Sequence, residues 1–136
     1  MNYEELMNTY NSANPFANTV GVRVTTVRDG YAEAEVPIAP IHGNTIRSLH
    51  GGVAFTLADT VTGCAARSRG QYCTTIEGKL NYIRAASLSD KKLLGIAKVI
   101  HFGRKTIVLS VEIRNDAGKL IATGLFTYFV LEKIGL

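Results

Sequence analysis

The uncharged stretch on either side of Asp59 constrains the fold of this chain more than any other feature. Residues 53–66 carry no charge except Asp59 and are apolar nearly all round. The stretch is long enough for about four helical turns, and Arg67, Arg69 and Gly70 follow it, which are typical of a helix C-terminus. A helix without a polar face belongs in the interior of a domain. The sequence therefore predicts one central helix that the rest of the chain must cover.

Strand patterns surround this segment. Before it, residues 2–9 predict a short surface helix, and the Val- and Thr-rich stretch 19–28 pairs through an Asp29-Gly30 turn with the alternating stretch 31–36. After it, four further strands are predicted, of which the last is apolar on both faces, as expected for a strand buried on both sides: residues 73–84, 92–102, 105–114 and 119–131. We therefore expect one α+β domain over residues 1–136, in which a curled antiparallel sheet of about six strands wraps around one long central helix.

The basic residues, the apolar runs and the cysteines limit the functions open to this chain. The net charge is +4, but the basic residues are scattered, so nucleic acid is not the expected partner. No apolar run approaches the roughly 20 residues that span a bilayer, and the N-terminus lacks the order of a signal peptide, so we expect a cytoplasmic protein without membrane contact. Cys64 and Cys73 lack metal-ligand spacing with the histidines, so we expect reduced thiols and no metal.

Asp59 needs an explanation of its own. An isolated ionised carboxylate in a dry interior costs several kcal/mol, so this side chain must be paired, protonated or exposed to an opening. It could hydrogen-bond a loop at the edge of the core, or it could be a functional carboxylate, since perturbed carboxylates cluster at functional sites.

At the other end of the segment, Gly51 and Gly52 precede the first predicted helical turn. Backbone N–H groups there have no intrahelical partner, and the helix dipole adds about half a positive charge. Glycine leaves these donors open, so the terminus can polarise a carbonyl oxygen, as acyl transfer requires. The alternative interpretation of the two glycines is a tight turn into the helix.

The spacing between these two features predicts an assembly. Gly51 and Asp59 are eight residues apart, or roughly 12 Å along a helix, which is too far for both to act on one carbonyl. If both are catalytic, the simplest solution is a two-fold dimer in which the helix N-terminus of one subunit meets Asp59 of the partner subunit. Such a dimer would also cover exposed strand edges.

The motif Asn44-x5-His50-Gly51-Gly52-x6-Asp59 is accompanied by NPF at residues 14–16, NYIR at 81–84 and GRK at 103–105. Together these motifs resemble the hotdog-fold acyl-CoA thioesterases of the PaaI-like, phenylacetyl-CoA thioesterase branch of the 4-hydroxybenzoyl-CoA thioesterase superfamily. The resemblance covers almost the full length of the chain.

The resemblance implies hydrolysis of an acyl-CoA thioester without metal or other cofactor, at the interfaces of homodimers that commonly pair into homotetramers. It implies that the Gly51 N–H polarises the thioester carbonyl and that Asp59 of the partner subunit is nucleophile or general base. By the same resemblance, Asn44 and His50 hold the site in place, and Thr75 helps to orient the attacking water.

Two positions depart from the family pattern. Arg47 stands where the family usually has a glycine, so the loop bends differently or Arg47 contacts the ligand. Thr75 alternates in phase with Glu77 and Asn81, which predicts that it lies on the more polar face of its strand.

Other side chains have less specific expected roles. His50 is the alternative base, although a residue just before a buried helix is more often a structural hydrogen-bonder. His42 and His101 have no assigned role. Phe55 and Leu57 are the expected walls of the acyl pocket. CoA carries phosphates, which prefer Arg and Lys, and the expected CoA contacts are Gly52, Arg84, Gly103, Arg104 and Lys105.

Two other functions remain open at this point. The first is a hotdog protein without catalytic activity that binds an acyl-CoA or another hydrophobic ligand, and retention of Asp59 argues against it. The second is a dehydratase acting on acyl thioesters, which would require a His paired with an acidic residue at a spacing that the sequence does not clearly offer.

Overall fold

The computed structural model describes residues 2–131. The α-helices are α1 (Tyr3–Ser12), α2 (Pro15–Val20) and α3 (Gly51–Ala66), and 3-10 turns occupy Pro40–His42 and Arg67–Arg69. The strands are β1 (Arg23–Arg28), β2 (Tyr31–Pro37), β3 (Tyr72–Tyr82), β4 (Lys92–Phe102), β5 (Thr106–Asn115) and β6 (Leu120–Leu131).

The six strands form one antiparallel sheet in the order β1-β2-β4-β5-β6-β3. Helix α3 packs against its inner face, where Leu57 and Val61 are fully buried together with Leu109 and Phe126 of the sheet. Each such side chain stabilises the fold by roughly 1.5–3 kcal/mol through burial of apolar surface. The predicted hotdog fold, a curled antiparallel sheet around one long helix, is confirmed.

Helix α3 begins two residues earlier than the apolar pattern alone suggests. The side chain of His50 caps it, because Nδ1 accepts a hydrogen bond of 2.8 Å from the Gly52 N–H. At the other end, Gly70 closes the following 3-10 turn with a φ of 91°, a left-handed conformation that glycine adopts without strain. The predicted end of the helix at Ala66 is confirmed.

The predicted strand over residues 19–28 is wrong in its first part. Thr19 and Val20 belong to α2, which has Pro15 as its first residue and ends at Gly21 with a φ of 100°. A proline at the first helical position and a left-handed glycine just after the end are helix signals, and here they outweigh the β preference of Val and Thr. The strand itself begins at Arg23.

Two strands of the sheet carry exposed apolar side chains. The expectation that β6 is buried on both faces is wrong for the single chain, because Phe126 is fully buried whereas Leu125 is 50% exposed and Phe129 is 40% exposed. Strand β3 forms an edge of the sheet, and its Ile76 is 57% exposed. None of the helices within residues 2–131 is long and apolar enough to cross a membrane, and the cytoplasmic location stays a prediction.

Candidate active site

Helix α3 leaves one stripe of its surface uncovered by the sheet. Gly51, Gly52 and Phe55 are exposed along it, and Thr56 and Asp59 are half-buried. These residues recur at spacings of three and four and therefore share one face of the helix. Asp59 thus lies at the boundary between core and solvent, and its carboxylate reaches a groove.

The carboxylate of Asp59 receives two hydroxyl groups on one oxygen. Thr75 Oγ1 donates to Oδ1 at 2.7 Å, and Tyr128 Oη lies 3.0 Å from the same oxygen. Hydrogen bonds to an ionised acceptor are stronger than neutral ones, so they hold the carboxylate in one orientation. No partner for Oδ2 occurs among the residues that the structure describes, which leaves this oxygen available for chemistry.

Tyr128 is the second donor, and the sequence pattern of β6 did not single it out. Its Oη also lies 2.6 Å from the backbone oxygen of Asp59 and 2.8 Å from Thr62 Oγ1. Burial, and then the charge of Asp59, raise the pKa of Tyr128 above that of an ordinary phenol, so it remains a protonated donor. A buried tyrosine needs a hydrogen-bond partner, and that requirement is the signal by which it could have been found.

Thr75 reaches Asp59 because β3 contains a bulge. The pairing with β6 shifts register between Thr75 and Glu77, and a bulge inserts one extra residue and turns the following side chains to the other face. The predicted position of Thr75 on the polar face is therefore wrong. The contact between Thr75 and the carboxylate agrees with the placement that the family resemblance implies.

At the start of α3, one backbone N–H remains free. The side chain and carbonyl of His50 accept the N–H groups of Gly52 and Val53, whereas the Gly51 N–H has no acceptor anywhere in residues 2–131. Tyr82 Oη donates to the Gly51 carbonyl oxygen at 2.5 Å. A Cβ on Gly51 would lie only 3.3 Å from that hydroxyl. Tyr82, which sequence analysis assigned no site role, therefore holds the terminus in place.

His50 and Asn44 have structural partners within the chain. Because His50 Nδ1 accepts the Gly52 N–H, neutral His50 carries its proton on Nε2, and Nδ1 is not free to act as a base. Asn44 Oδ1 accepts the N–H groups of Ile46 and Ser48 at 3.0 Å each, and Asn44 Nδ2 donates to Ser48 Oγ at 2.9 Å. Asn44 thus folds its own loop. Its role in holding the site stays a prediction.

The loop that Asn44 organises explains one departure from the family pattern. Arg47 adopts a φ of 61° and is a non-glycine residue in the left-handed region, where glycine is favoured. The loop therefore keeps the bend that a glycine would make, at the cost of strain in Arg47.

Two of the grooves along the uncovered stripe contain Asp59 and Gly51, respectively. The first, called here the Asp59 groove, has a volume of about 430 Å³ and is lined by Asp59, Thr75, Tyr128 and Phe55 among others. The second, the Gly51 groove, has a volume of about 400 Å³ and is lined by residues that include Gly51, His50, Tyr82 and Arg84. Within one chain, Asp59 and Gly51 therefore face different grooves.

The other predicted site residues are dispersed. Arg84 lies beside Gly51, whereas the Gly103-Arg104-Lys105 hairpin lies at the opposite end of the sheet, where the Lys105 carbonyl accepts the Val130 N–H at 2.7 Å. The Gly52 N–H, an expected CoA contact, is occupied by His50.

Of the two expected pocket walls, Phe55 lines the Asp59 groove. Leu57 is fully buried and packs against Gly95 of β4, so its assignment as a wall is wrong.

His42, Cys64 and Cys73 lie in environments that do not favour reactivity. His42 is buried, and its ring nitrogens contact the Ala39 N–H and the Val20 carbonyl. Burial raises the pKa of Cys64 to about 12 and that of Cys73 to about 11, so both thiols stay protonated near neutral pH. No group of three potential metal ligands occurs in the described part of the chain, and the absence of a metal cofactor stays a prediction.

The sequence of this chain is similar to those of known proteins. The family model described as Thioesterase superfamily matches residues 47–122. A protein of Archaeoglobus fulgidus, provisionally named an esterase, is 36% identical over 100 residues, which are 74% of this chain and 64% of that protein. Acyl-coenzyme A thioesterase PaaI of Escherichia coli is 29% identical over 78% of this chain and 75% of its own length.

A solved structure supports the same grouping. It is described as a hypothetical thioesterase protein of Streptococcus pneumoniae with coenzyme A, and its sequence is 28% identical to this chain. The superposition has a TM-score of 0.80 and covers 89% of this chain and 96% of that one.

Proposed function

This chain belongs to the thioesterase superfamily, and on that premise we propose that it hydrolyses an acyl-CoA thioester to a free acid and CoA. The observation that carries the proposal is the carboxylate of Asp59, which lies in a groove. Thr75 and Tyr128 fix one of its oxygens, and the other has no partner among residues 2–131. A relative named as an acyl-coenzyme A thioesterase and a related structure with coenzyme A support this choice of substrate.

Asp59 supplies the attacking group in one of two ways. As general base, Oδ2 takes a proton from water while the water oxygen bonds to the thioester carbon, and the CoA sulfur leaves as a thiolate that is then protonated. As nucleophile, Oδ2 bonds to the carbon directly and the CoA sulfur leaves as a thiolate that is then protonated, and water hydrolyses the resulting anhydride in a second step. Both routes give the same products, and both use the oxygen that the two hydroxyl groups leave free.

The negative charge that develops on the carbonyl oxygen needs a donor, and the Gly51 N–H is suited to it. It stands at a helix N-terminus, where the dipole favours an anion, and it has no acceptor among the described residues. Gly51 lies roughly 12 Å along α3 from Asp59 of the same chain. We therefore assign the donor at each site to the partner subunit's Gly51.

The edge strand β3 is suited to the required dimer. Its outer edge lacks a strand partner within residues 2–131 and exposes Ile76 and Tyr82, which are 57% and 50% accessible. Two copies of β3 related by a two-fold axis would continue the sheet, remove this edge from water and bring the two α3 helices side by side. Pairing of such dimers into tetramers is part of the proposal.

Contacts to the CoA phosphates are assigned to exposed cations. Arg84 lies on the rim of the Gly51 groove, so a phosphate at the rim would meet a guanidinium. Arg104 and Lys105 are exposed on a hairpin at the far end of the sheet, and they could meet the same ligand only through assembly of subunits.

Release of free thiol from a panel of acyl-CoA esters tests the proposed function, with wild type and Asp59→Asn measured side by side. We expect wild-type turnover and a loss of about 10³-fold in kcat in the variant, because Asn cannot accept the proton or form the anhydride. Asp90→Asn, a change on a surface loop, is the matched control and should retain full activity. CoA binding measured by calorimetry should persist in Asp59→Asn.

Two results would contradict the proposal. Binding of acyl-CoA by wild type without turnover of any ester would assign the chain to the ligand-binding alternative. Formation of an enoyl product from a hydroxyacyl-CoA would assign it to the dehydratases.

A further inference from the structure

The Asp59 groove extends from the reactive carboxylate along helix α3. Asp59 and Thr75 lie at the reactive end, and Tyr10, Gly63 and Cys73 line the groove further along. Gly63 follows Asp59 by four residues on the same face of α3, so it lies about 6 Å along the axis from the carboxylate. An acyl group that starts at Asp59 and follows the helix toward its C-terminus therefore meets Gly63 and Tyr10 one turn later.

Gly63 allows two tyrosines to approach the helix at this point. A Cβ on Gly63 would lie 3.2 Å from Tyr10 Oη and 3.2 Å from Tyr128 Oη. The two hydroxyl oxygens are therefore separated by at most twice that distance. Tyr128 hydrogen-bonds Asp59, so Tyr10 stands directly behind the catalytic hydroxyl and blocks the continuation of the groove along α3.

Tyr10 is held as a rigid wall. Its neighbour Asn11 pairs with the backbone of β1, because Asn11 Oδ1 accepts the Val24 N–H at 2.8 Å and Asn11 Nδ2 donates to the Val24 carbonyl at 2.9 Å. The Arg67 guanidinium lies 5.5 Å from the centre of the Tyr10 ring, within cation–π range. Burial raises the pKa of Tyr10 above that of an ordinary phenol, which keeps its hydroxyl neutral beside an apolar ligand.

From this geometry we propose that Tyr10 sets the upper limit on acyl length, and that the substrate is a short-chain acyl group of roughly four to six carbons. The limit follows from the distance of about 6 Å along the helix axis between Asp59 and Gly63. It rests on the proposed function, because it assigns the acyl group to the Asp59 groove. A longer chain that continues along α3 meets the Tyr10 side chain, and removing that side chain would let it extend further.

The test compares kcat/KM on a series of straight-chain acyl-CoA esters of two to twelve carbons. For wild type, kcat/KM should fall at least tenfold beyond about six carbons. In Tyr10→Ala it should rise about tenfold on the ten- and twelve-carbon esters, because the groove opens behind Gly63. Tyr10→Phe keeps the ring and should retain the wild-type length profile. Tyr31→Ala, a tyrosine truncation on β2 away from the groove, is the matched control and should also retain it.

Gly63→Ala gives an independent readout should Tyr10→Ala fail to fold. Its added methyl group would crowd both hydroxyl groups, so turnover of the six-carbon ester should fall more than turnover of the two-carbon ester. If Tyr10→Ala and Gly63→Ala fold and show the same dependence of kcat/KM on acyl length as wild type, this inference is overturned while the proposed hydrolysis stands. A wild-type protein that hydrolyses no ester would instead contradict the proposed function.

Discussion

The two ends of the uncovered stripe of α3 differ in how much of their chemistry one chain provides. At Asp59, hydroxyl groups from β3 and β6 converge on one carboxylate oxygen. At Gly51, one hydroxyl group, that of Tyr82, holds a carbonyl, and the adjacent N–H is left without an acceptor in the described residues. The Asp59 end, or acid end, is therefore preorganised within the subunit. The Gly51 end offers a single N–H donor, which can take part in a reaction only when a carboxylate lies close to it.

Under the proposed function, this difference explains why activity would require a second copy of the chain. Preorganisation at Asp59 comes from strands that cross the helix and are fixed by the sheet. An exposed helix terminus needs no such framework, because its N–H direction and dipole are fixed by the helix itself. A two-fold axis then creates two complete sites from one carboxylate and one terminus per chain.

After the loss expected for Asp59→Asn, the largest effect in this comparison comes from removing the free N–H of Gly51. Gly51→Pro deletes it, and proline is accepted at the first position of a helix. His50 already has the extended conformation that a residue before proline requires, with φ −63° and ψ 131°. Loss of one oxyanion donor should lower kcat by about 100-fold.

Gly51→Ala is the matched control for this variant. It adds the same Cβ near Tyr82 but keeps the N–H, so steady-state kinetics should show a much smaller loss. Equal losses in the two variants would mean that crowding at Tyr82, and not the missing donor, causes the effect.

A smaller effect is expected from removing one hydroxyl group at the acid end, because two hydroxyl groups contact the Asp59 carboxylate there. Tyr128→Phe removes one donor to Asp59 and leaves Thr75 in place, so kcat should fall about tenfold and stability by about 1 kcal/mol, from the hydrogen bonds lost to Asp59 and Thr62. Steady-state kinetics measure the change in kcat, and urea unfolding measures the change in stability.

Thr75→Val, which keeps the shape of the side chain, should lower kcat to a similar extent with less loss of stability, because Thr75 is exposed. Unchanged kcat in both variants would show that the two hydroxyl groups do not tune the carboxylate.

The smallest effect concerns the loop that leads into Gly51. Arg47→Gly should raise the free energy of unfolding by about 0.5 kcal/mol, because glycine adopts a positive φ without strain but loses more backbone entropy on folding. Urea denaturation measures the change. Ile46→Gly, in the same loop but without a positive φ, is the control and should be destabilising. If Arg47→Gly also lowers the free energy of unfolding, backbone strain at Arg47 does not limit the stability of the loop.

Much of this architecture could be predicted from the sequence because the decisive signals are strong and local. The uncharged stretch around Asp59 specifies a buried helix, and the alternating segments specify the strands with errors of one or two residues. The motif from Asn44 to Asp59 indicates both ends of the site. The predicted strand at residues 19–28 was wrong where the proline and glycine signals of α2 were overlooked.

The failures at the site itself have a common cause. Thr75 was assigned to the wrong face because a bulge is a property of the pairing between β3 and β6 and leaves no clear mark in one strand's sequence. Tyr128 was missed because its partners, Asp59 and Thr62, lie more than 60 residues away. Leu57 was assigned to a wall because the uncovered stripe of α3 depends on where the sheet ends.

The most direct test of the shared site is complementation between two inactive variants. Asp59→Asn keeps an intact Gly51, and Gly51→Pro keeps an intact Asp59, so the two are mixed in equal amounts under conditions that allow subunit exchange and assayed for thiol release. If each site takes Asp59 from one subunit and Gly51 from the other, random pairing restores both groups at one site in four, and activity should recover to about a quarter of wild type. Activity that stays at the level of the separate variants after confirmed subunit exchange would place both groups in one chain and contradict the account.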